Sequence, residues 1–226
     1  CNVKKISYAA SLGTTQLNET QKSNIINYLP SFSSISVREP GSAEQLTKIL
    51  HREIQVVLDP VFLLDRDEWR KLSRPVSVDS NYLFLYFLQE NEKLLECAKK
   101  YAEENGLKIY KVHPTLATRH NGCKRLENVG PKEFIWLIEN ASCVCTNSFH
   151  ATAFSTIFRK KLIHIPNSKS PERTTSLLER VGIELKTDKE FPFYDIGLCD
   201  DTNLNFEIEK SKKFLDAVME SEQYGN

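Results

Sequence analysis

From Gly130 to Phe154 the chain reads GPKEFIWLIENASCVCTNSFHATAF, and this stretch decides the fold. Pro131 suits the first helical position, Glu133 favours the positive end of a helix dipole, and Phe134, Leu137, Ile138 and Ala141 recur at helical spacing. A helix over 131–141 is predicted. Cys143 to Cys145 reads as a strand, and Thr146, Asn147 and Ser148 offer N-caps to a second helix bearing Phe149, Ala153, Ile157 and Phe158. Leu162 to Ile165 is the next strand. Arg173 then opens a helix with Leu177, Leu178 and Val181 inside, closed by Gly182. Strand and helix alternate throughout, which predicts a parallel, doubly wound sheet.

Upstream the alternation continues. Lys5 to Ala10 is strand-like, and Leu17, Gln21, Ile25, Tyr28 and Leu29 follow helical spacing until Pro30. Ile35 to Arg38 is a short strand, Gly41 to Leu50 a helix, and Gln55 to Leu58 a strand ended by Asp59-Pro60. Arg66 to Val78 is polar, contains Pro75, and reads as a crossover between two lobes. Tyr82 to Leu88 is continuously apolar, as in a parallel strand buried on both faces. A helix from about Asn91, with Gly106 at its C′ position, leads to the strand Lys108 to Val112 and then His113-Pro114; residues 115–128 read as a polar loop. After Pro192 the pattern weakens until an amphipathic helix over Asn205 to Ser221. The expected fold class is α/β, with two Rossmann-like lobes of parallel sheet: residues 1–75 and residues 76–204, followed by the helix of 205–226.

Composition narrows the partners. The 226 residues hold 30 Lys plus Arg and 30 Asp plus Glu, so no global basic field exists to hold nucleic acid. With 40% hydrophobic and 27% charged residues the chain is an ordinary globular one, and its longest apolar run is too short to cross a bilayer. The six cysteines show no C-x-x-C pair, which argues against a zinc site or a disulfide framework and for a reducing compartment. No secretory signal is visible, and a first residue that is Cys and not Met is expected from a truncated start, the alternative being a lipidated mature N-terminus.

In open α/β sheets ligands lie beyond the carboxyl ends of the strands, where helix N-termini meet anions. That rule selects Tyr8 to Gly13 with Ser11, Arg38-Glu39, His113-Pro114 and above all Thr146 to His150. Asn147, Ser148 and His150 stand where a strand runs straight into a helix; the competing reading of His150 is a histidine packed under the neighbouring lobe. Arg173 at a helix opening opposes the dipole, either as an anion ligand or as a solvated surface arginine. Arg38 is either an anion ligand or a structural partner of Glu39 or Glu44. Arg119-His120 read as surface, Asp59-Pro60 as a turn, and Trp69 and Trp136 as core or lobe-contact residues.

Taken in order, Lys5 to Gly13, Ile35 to Glu39, Leu58-Asp59-Pro60 with Trp69 after it, and Thr146 to Ala151 resemble the successive motifs of the polysaccharide pyruvyltransferase family over roughly residues 4–70 and 82–182. The resemblance implies a two-lobed, GT-B-like fold and transfer of a pyruvyl group from phosphoenolpyruvate to sugar hydroxyls as a ketal. It implies His150 as general acid with His113 second, and Ser148, Asn147, Arg173, Arg38 and Ser11 as substrate-binding residues. Phosphoenolpyruvate acts as donor substrate, no cofactor or metal is needed, and the acceptor is a glycan or lipid-linked saccharide. The first lobe would be the acceptor side and the second the donor side, in a cytoplasmic enzyme or one peripheral to the inner membrane face.

Two departures accompany the resemblance. The family's glycine-rich opening segment has no counterpart, so the first lobe is expected to be partial. Some members carry an arginine where this chain has Ser148 and a glycine where it has Ala151, which leaves Arg173 or Arg38 to grip the phosphate. The alternatives are a GT-B-like glycosyltransferase using a nucleotide sugar, or a non-catalytic chain acting as a binding module. In GT-B-like folds the last helix returns to the first lobe, so Ile208, Leu215 and Met219 are expected against the first seventy residues.

Overall fold

The computed structural model describes residues 4–89, 91–112, 122–168, 170–186 and 190–223. The chain opens with β1 (Ile6–Ala10), α1 (Glu19–Tyr28), β2 (Ser34–Val37), α2 (Pro40–Leu50) and β3 (Gln55–Val56), followed by α3 (Arg66–Leu72), β4 (Tyr82–Tyr86), α4 (Glu92–Glu104), β5 (Lys108–Val112) and β6 (Lys124–Arg125). Then come α5 (Pro131–Asn140), β7 (Cys143–Thr146), α6 (Phe149–Ile157), β8 (Lys161–His164), α7 (Glu172–Arg180), β9 (Phe193–Asp195) and α8 (Thr202–Gln223).

These elements form two units, one of residues 1–63, 168–182 and 201–226 and the other of residues 64–167 and 183–200. In the first, three parallel strands run in the order β1-β2-β3. Ile35 and Val37 of β2 pack with Ile25 of α1 and with Ala43 and Leu46 of α2. A capping box starts α1: Asn18 accepts from the Gln21 N–H at 2.9 Å, and the Gln21 side chain accepts from the Asn18 N–H at 2.9 Å. Helix α8 lies on the other side of this sheet, where Phe214 and Val218 join Ala9 and Val57.

The second unit is a six-stranded sheet in the order β6-β5-β4-β7-β8-β9, parallel except for β9. Strand β4 comes first in this unit's sequence yet lies inside the sheet, with β5 on one side and β7 on the other. The order therefore reverses at β4, the kind of switch point where open α/β sheets hold ligands. Tyr86 pairs with Val112 and with Thr146, and Thr146 pairs with His164, so these four residues mark one carboxyl edge.

Several boundaries differ from those the sequence suggests. Within the polar stretch read as the crossover, Arg66–Leu72 is a helix, opened by a capping box of Asp65 and Glu68. The unit boundary falls at 63/64, and residues 168–182 belong to the first unit although the strand and helix pattern reads straight through them. Within the stretch assigned to a loop, Lys124–Arg125 pairs with β5. Helix α8 begins at Thr202, and its buried face is Glu207, Ser211, Phe214 and Val218, with Leu215 partly buried and Met219 exposed. Among the described residues no helix is long and apolar enough to cross a membrane.

Candidate active site

The sheet edge of the second unit builds its site from α6. Every residue of this helix is buried except His150, which is exposed. A helix surrounded on all sides must satisfy its polar groups internally. The hydroxyls of Thr152, Ser155 and Thr156 do so, donating to the carbonyls of Ser148, Ala151 and Thr152 at 3.0, 2.7 and 3.1 Å. His150 is left as the one side chain of α6 that faces outward.

The residues before α6 divide their tasks. Thr146 Oγ1 accepts from the Ser148 N–H at 3.0 Å, shaping the entry to the helix. Asn147 is buried and clamps the loop after β4: its Oδ1 accepts from the Leu88 N–H and its Nδ2 donates to the Gln89 carbonyl, both at 3.2 Å. Both of those bonds hold loop backbone, which makes Asn147 a positioning residue. Ser148 is buried at the N-cap, yet its side chain makes no capping bond, and its Oγ has no hydrogen-bond partner among the described residues. His164 is fully buried beneath this entry, and its Nδ1–H donates to the Thr146 carbonyl at 2.9 Å. Burial holds the His164 pKa down at about 4, against a smaller opposing pull from that hydrogen bond, so the ring is neutral at pH 7.

Ser148 and His150 line a cavity of about 650 Å³ at the switch point. Its walls include Tyr86, Val112, Val129 and Phe134, with Arg125 and Glu127 as charged groups. Tyr86 meets Phe134 edge-on at 4.9 Å, and Phe134 meets Phe154 edge-on at 6.2 Å, fixing the aromatic side of the cavity. Helix α5 starts at the same cavity, but its Glu133 side chain already accepts from the Gly130 N–H at 3.1 Å.

A second group of candidates gathers in the first unit. Arg38 follows β2; its guanidinium pairs with Asp59 through Nη1 and lies 3.4 Å from Glu39 Oε1 through Nε. Arg173 reaches the same Glu39 oxygen at 3.6 Å. The carboxylates lie beneath, at 3% and 4% side-chain exposure, while Arg38 and Arg173 stand at 17% and 31%. The pair thus presents cations outward on a buried anionic base. Burial, and then the nearby Arg38 charge, lower the Arg173 pKa, while Glu39 and Asp59 oppose the shift. Arg180, farther along α7, donates to the Arg38 and Val57 carbonyls at 3.3 and 3.4 Å and pairs with Glu207.

Of the residues picked from sequence, Ser148 and His150 come together in one unit and Arg38 and Arg173 in the other; Asn147 serves the loop, and Ser11 accepts from the Gly13 N–H at 3.2 Å within a local turn. His113 and Arg119-His120 lie outside the described residues. Asp59, read as a turn residue, is the buried partner of Arg38, and Trp69 packs edge-on against Phe154 at 5.0 Å. Arg125 and Tyr86 are not among the sequence candidates for the site, and Phe134, read as part of the apolar stripe of α5, is a cavity wall. Arg125 sits in a polar stretch with no periodicity, whereas the burial of Asp59 right after an apolar strand is a signal that was present. Among the described residues no group of three or more His, Cys, Asp or Glu side chains is arranged to hold a metal ion.

Comparison with known proteins adds two findings. The family model described as Polysaccharide pyruvyl transferase matches residues 1–169, three quarters of the chain. Among solved structures, UDP-GlcNAc 2-epimerase from Methanocaldococcus jannaschii is similar at 16% identity and a TM-score of 0.53, covering 90% of this chain and 69% of that one. The same enzyme solved in complex with UDP-GlcNAc and UDP gives 17% identity and a TM-score of 0.51, covering 66% and 49%. This chain thus spans about half the length of that neighbour, and at such identity the likeness shows a shared GT-B-like fold. No curated protein matches the chain.

Proposed function

Because the chain belongs to the polysaccharide pyruvyl transferase family, we propose that it serves to transfer a pyruvyl group from phosphoenolpyruvate to two hydroxyls of a glycan or lipid-linked saccharide, forming a ketal. The observation that carries the reading is His150, the one exposed side chain on an otherwise buried helix at the sheet's carboxyl edge. A histidine so placed is of the residue type suited to proton transfer.

His150 as imidazolium gives its proton to the methylene carbon of phosphoenolpyruvate, leaving an oxocarbenium-like centre at the adjacent carbon. A sugar hydroxyl attacks that centre and returns its proton to the imidazole. The bond to the phosphate oxygen breaks, a second hydroxyl closes the ketal, and its proton leaves with the phosphate. Within the first unit, Arg38 and Arg173 form a paired-cation site suited to an anion such as phosphoenolpyruvate, and their buried carboxylates hold both guanidinium groups in place.

Steady-state kinetics on phosphate release from phosphoenolpyruvate, with a saccharide acceptor present, tests these roles. His150→Ala is expected to lower kcat by about a hundredfold or more. Arg173→Ala is expected to act mainly on the KM for phosphoenolpyruvate, since it removes an interaction present before the transition state as well as in it. Full turnover by His150→Ala removes the general-acid assignment.

A further inference from the structure

We infer that Glu172 is a positioning residue for the paired-cation site of the first unit: by capping the N-terminus of α2 from the start of α7, it sets where Arg173 stands. The inference rests on the reading of Arg38 and Arg173 as the phosphoenolpyruvate site. Helix α2 lacks a cap from its own sequence, because the side chain of its N-cap residue, Glu39, makes no capping bond. Glu39 Oε1 instead faces the guanidinium groups of Arg38 and Arg173 at 3.4 and 3.6 Å, and Oε2 accepts from the Ser42 hydroxyl at 3.2 Å. The Gly41 N–H, in the first turn, therefore takes its acceptor from another helix: Glu172 Oε1, at 2.6 Å. A carboxylate there also meets the positive end of the α2 dipole. Glycine at position 41 permits the approach, since a Cβ would stand 2.6 Å from Glu172 Oε2.

This contact governs Arg173 in two ways. Helix α7 is tied down at its far end, where Arg180 donates to the Arg38 and Val57 carbonyls at 3.3 and 3.4 Å and pairs with Glu207. Arg173 lies about two turns away from that anchor, and the N-cap residue of α7, Pro171, makes no side-chain capping bond. Glu172, next to Arg173 in the chain, is what ties this end of α7 to α2. The guanidinium of Arg173 meets Glu39 at 3.6 Å, longer than a hydrogen bond, so the charge contact attracts the group without fixing its direction and the backbone of α7 has to do so. Secondly, by taking the Gly41 N–H, Glu172 leaves the Glu39 carboxylate to the two arginines.

Calorimetric titration of phosphoenolpyruvate, and separately of inorganic phosphate, into the wild type and a set of variants tests the inference. Glu172→Ala is expected to weaken binding of both anions about fivefold, and Glu172→Gln, whose amide oxygen still accepts from the Gly41 N–H, to stay within about twofold of the wild type. Added to Arg173→Ala, Glu172→Ala is expected to cost nothing further, because its effect passes through Arg173; a merely structural loss would weaken both backgrounds alike. Gly41→Ala, which displaces the carboxylate from the other side of the contact, is expected to weaken binding about threefold and serves as the test should Glu172→Ala not fold. Wild-type affinity in Glu172→Ala, equal weakening in the Arg173→Ala background, or a Glu172→Gln variant as weak as Glu172→Ala each overturns the inference. The expected pattern with phosphate but no binding of phosphoenolpyruvate leaves the positioning role standing and removes the donor reading instead; a wild type that binds neither anion overturns both.

Discussion

The same side chain does opposite work at two places in the second unit. His150 is exposed at the start of α6, whereas His164 is fully buried and donates to the carbonyl of Thr146 at the foot of that helix. Burial keeps His164 neutral down to about pH 4, against an ordinary value of 6.5. Between those two pH values the unfolded chain binds a proton that the folded chain refuses, so stability falls as pH drops through the window. The full extent is on the order of 3 kcal/mol and is reached below about pH 4. Urea midpoints of the wild type and of His164→Gln, compared from pH 7 to 4.5, should fall more steeply for the wild type; parallel slopes contradict this. The exposed histidine was legible, because a strand running directly into a helix fixes where a first-turn residue stands. The role of Asn147 was not, since its partners are backbone groups of a loop nearly sixty residues earlier.

Helices α2, α7 and α8 show how packing overrides a local pattern. Glu172 of α7 accepts from the Gly41 N–H at 2.6 Å, filling the N-terminus of α2, and a Cβ on Gly41 would stand 2.6 Å from that carboxylate. The obstructing atom ends a flexible side chain, so Gly41→Ala should displace Glu172 at modest cost, about 1 kcal/mol for the lost bond. Once Glu172→Ala has removed the carboxylate, adding Gly41→Ala should cost much less, a non-additivity that a double-mutant cycle of urea denaturation measures. Periodicity also misplaced the face of α8. The helix buries Glu207 and Ser211 because Arg180 pairs with the first and the Leu58 N–H donates to the second at 2.8 Å. Those partners come from distant parts of the chain, and apolar spacing alone favoured Met219. Ser211→Ala leaves the Leu58 N–H buried without a partner and should cost about 1–3 kcal/mol in unfolding free energy; a loss near zero would show that the helix contact is dispensable.

For the molecule as a whole, alternating strands and helices made the α/β class and its parallel sheets legible, because that pattern depends only on neighbours in sequence. Which unit a given element joins depends on long-range packing, and so residues 168–182 could not be assigned from the pattern that surrounds them. The donor reading depends on that assignment, since it sets Arg173 beside Arg38 on a shared Glu39. Removing Arg173 still leaves Glu39 paired with Arg38, so the fold should survive while anion recognition weakens. The most direct measurement is calorimetric titration of phosphoenolpyruvate into the wild type and into Arg173→Ala. Saturable binding by the wild type that weakens about tenfold or more in the variant is the predicted result. A wild type that binds no phosphoenolpyruvate, or a variant that binds it equally well, would contradict the account.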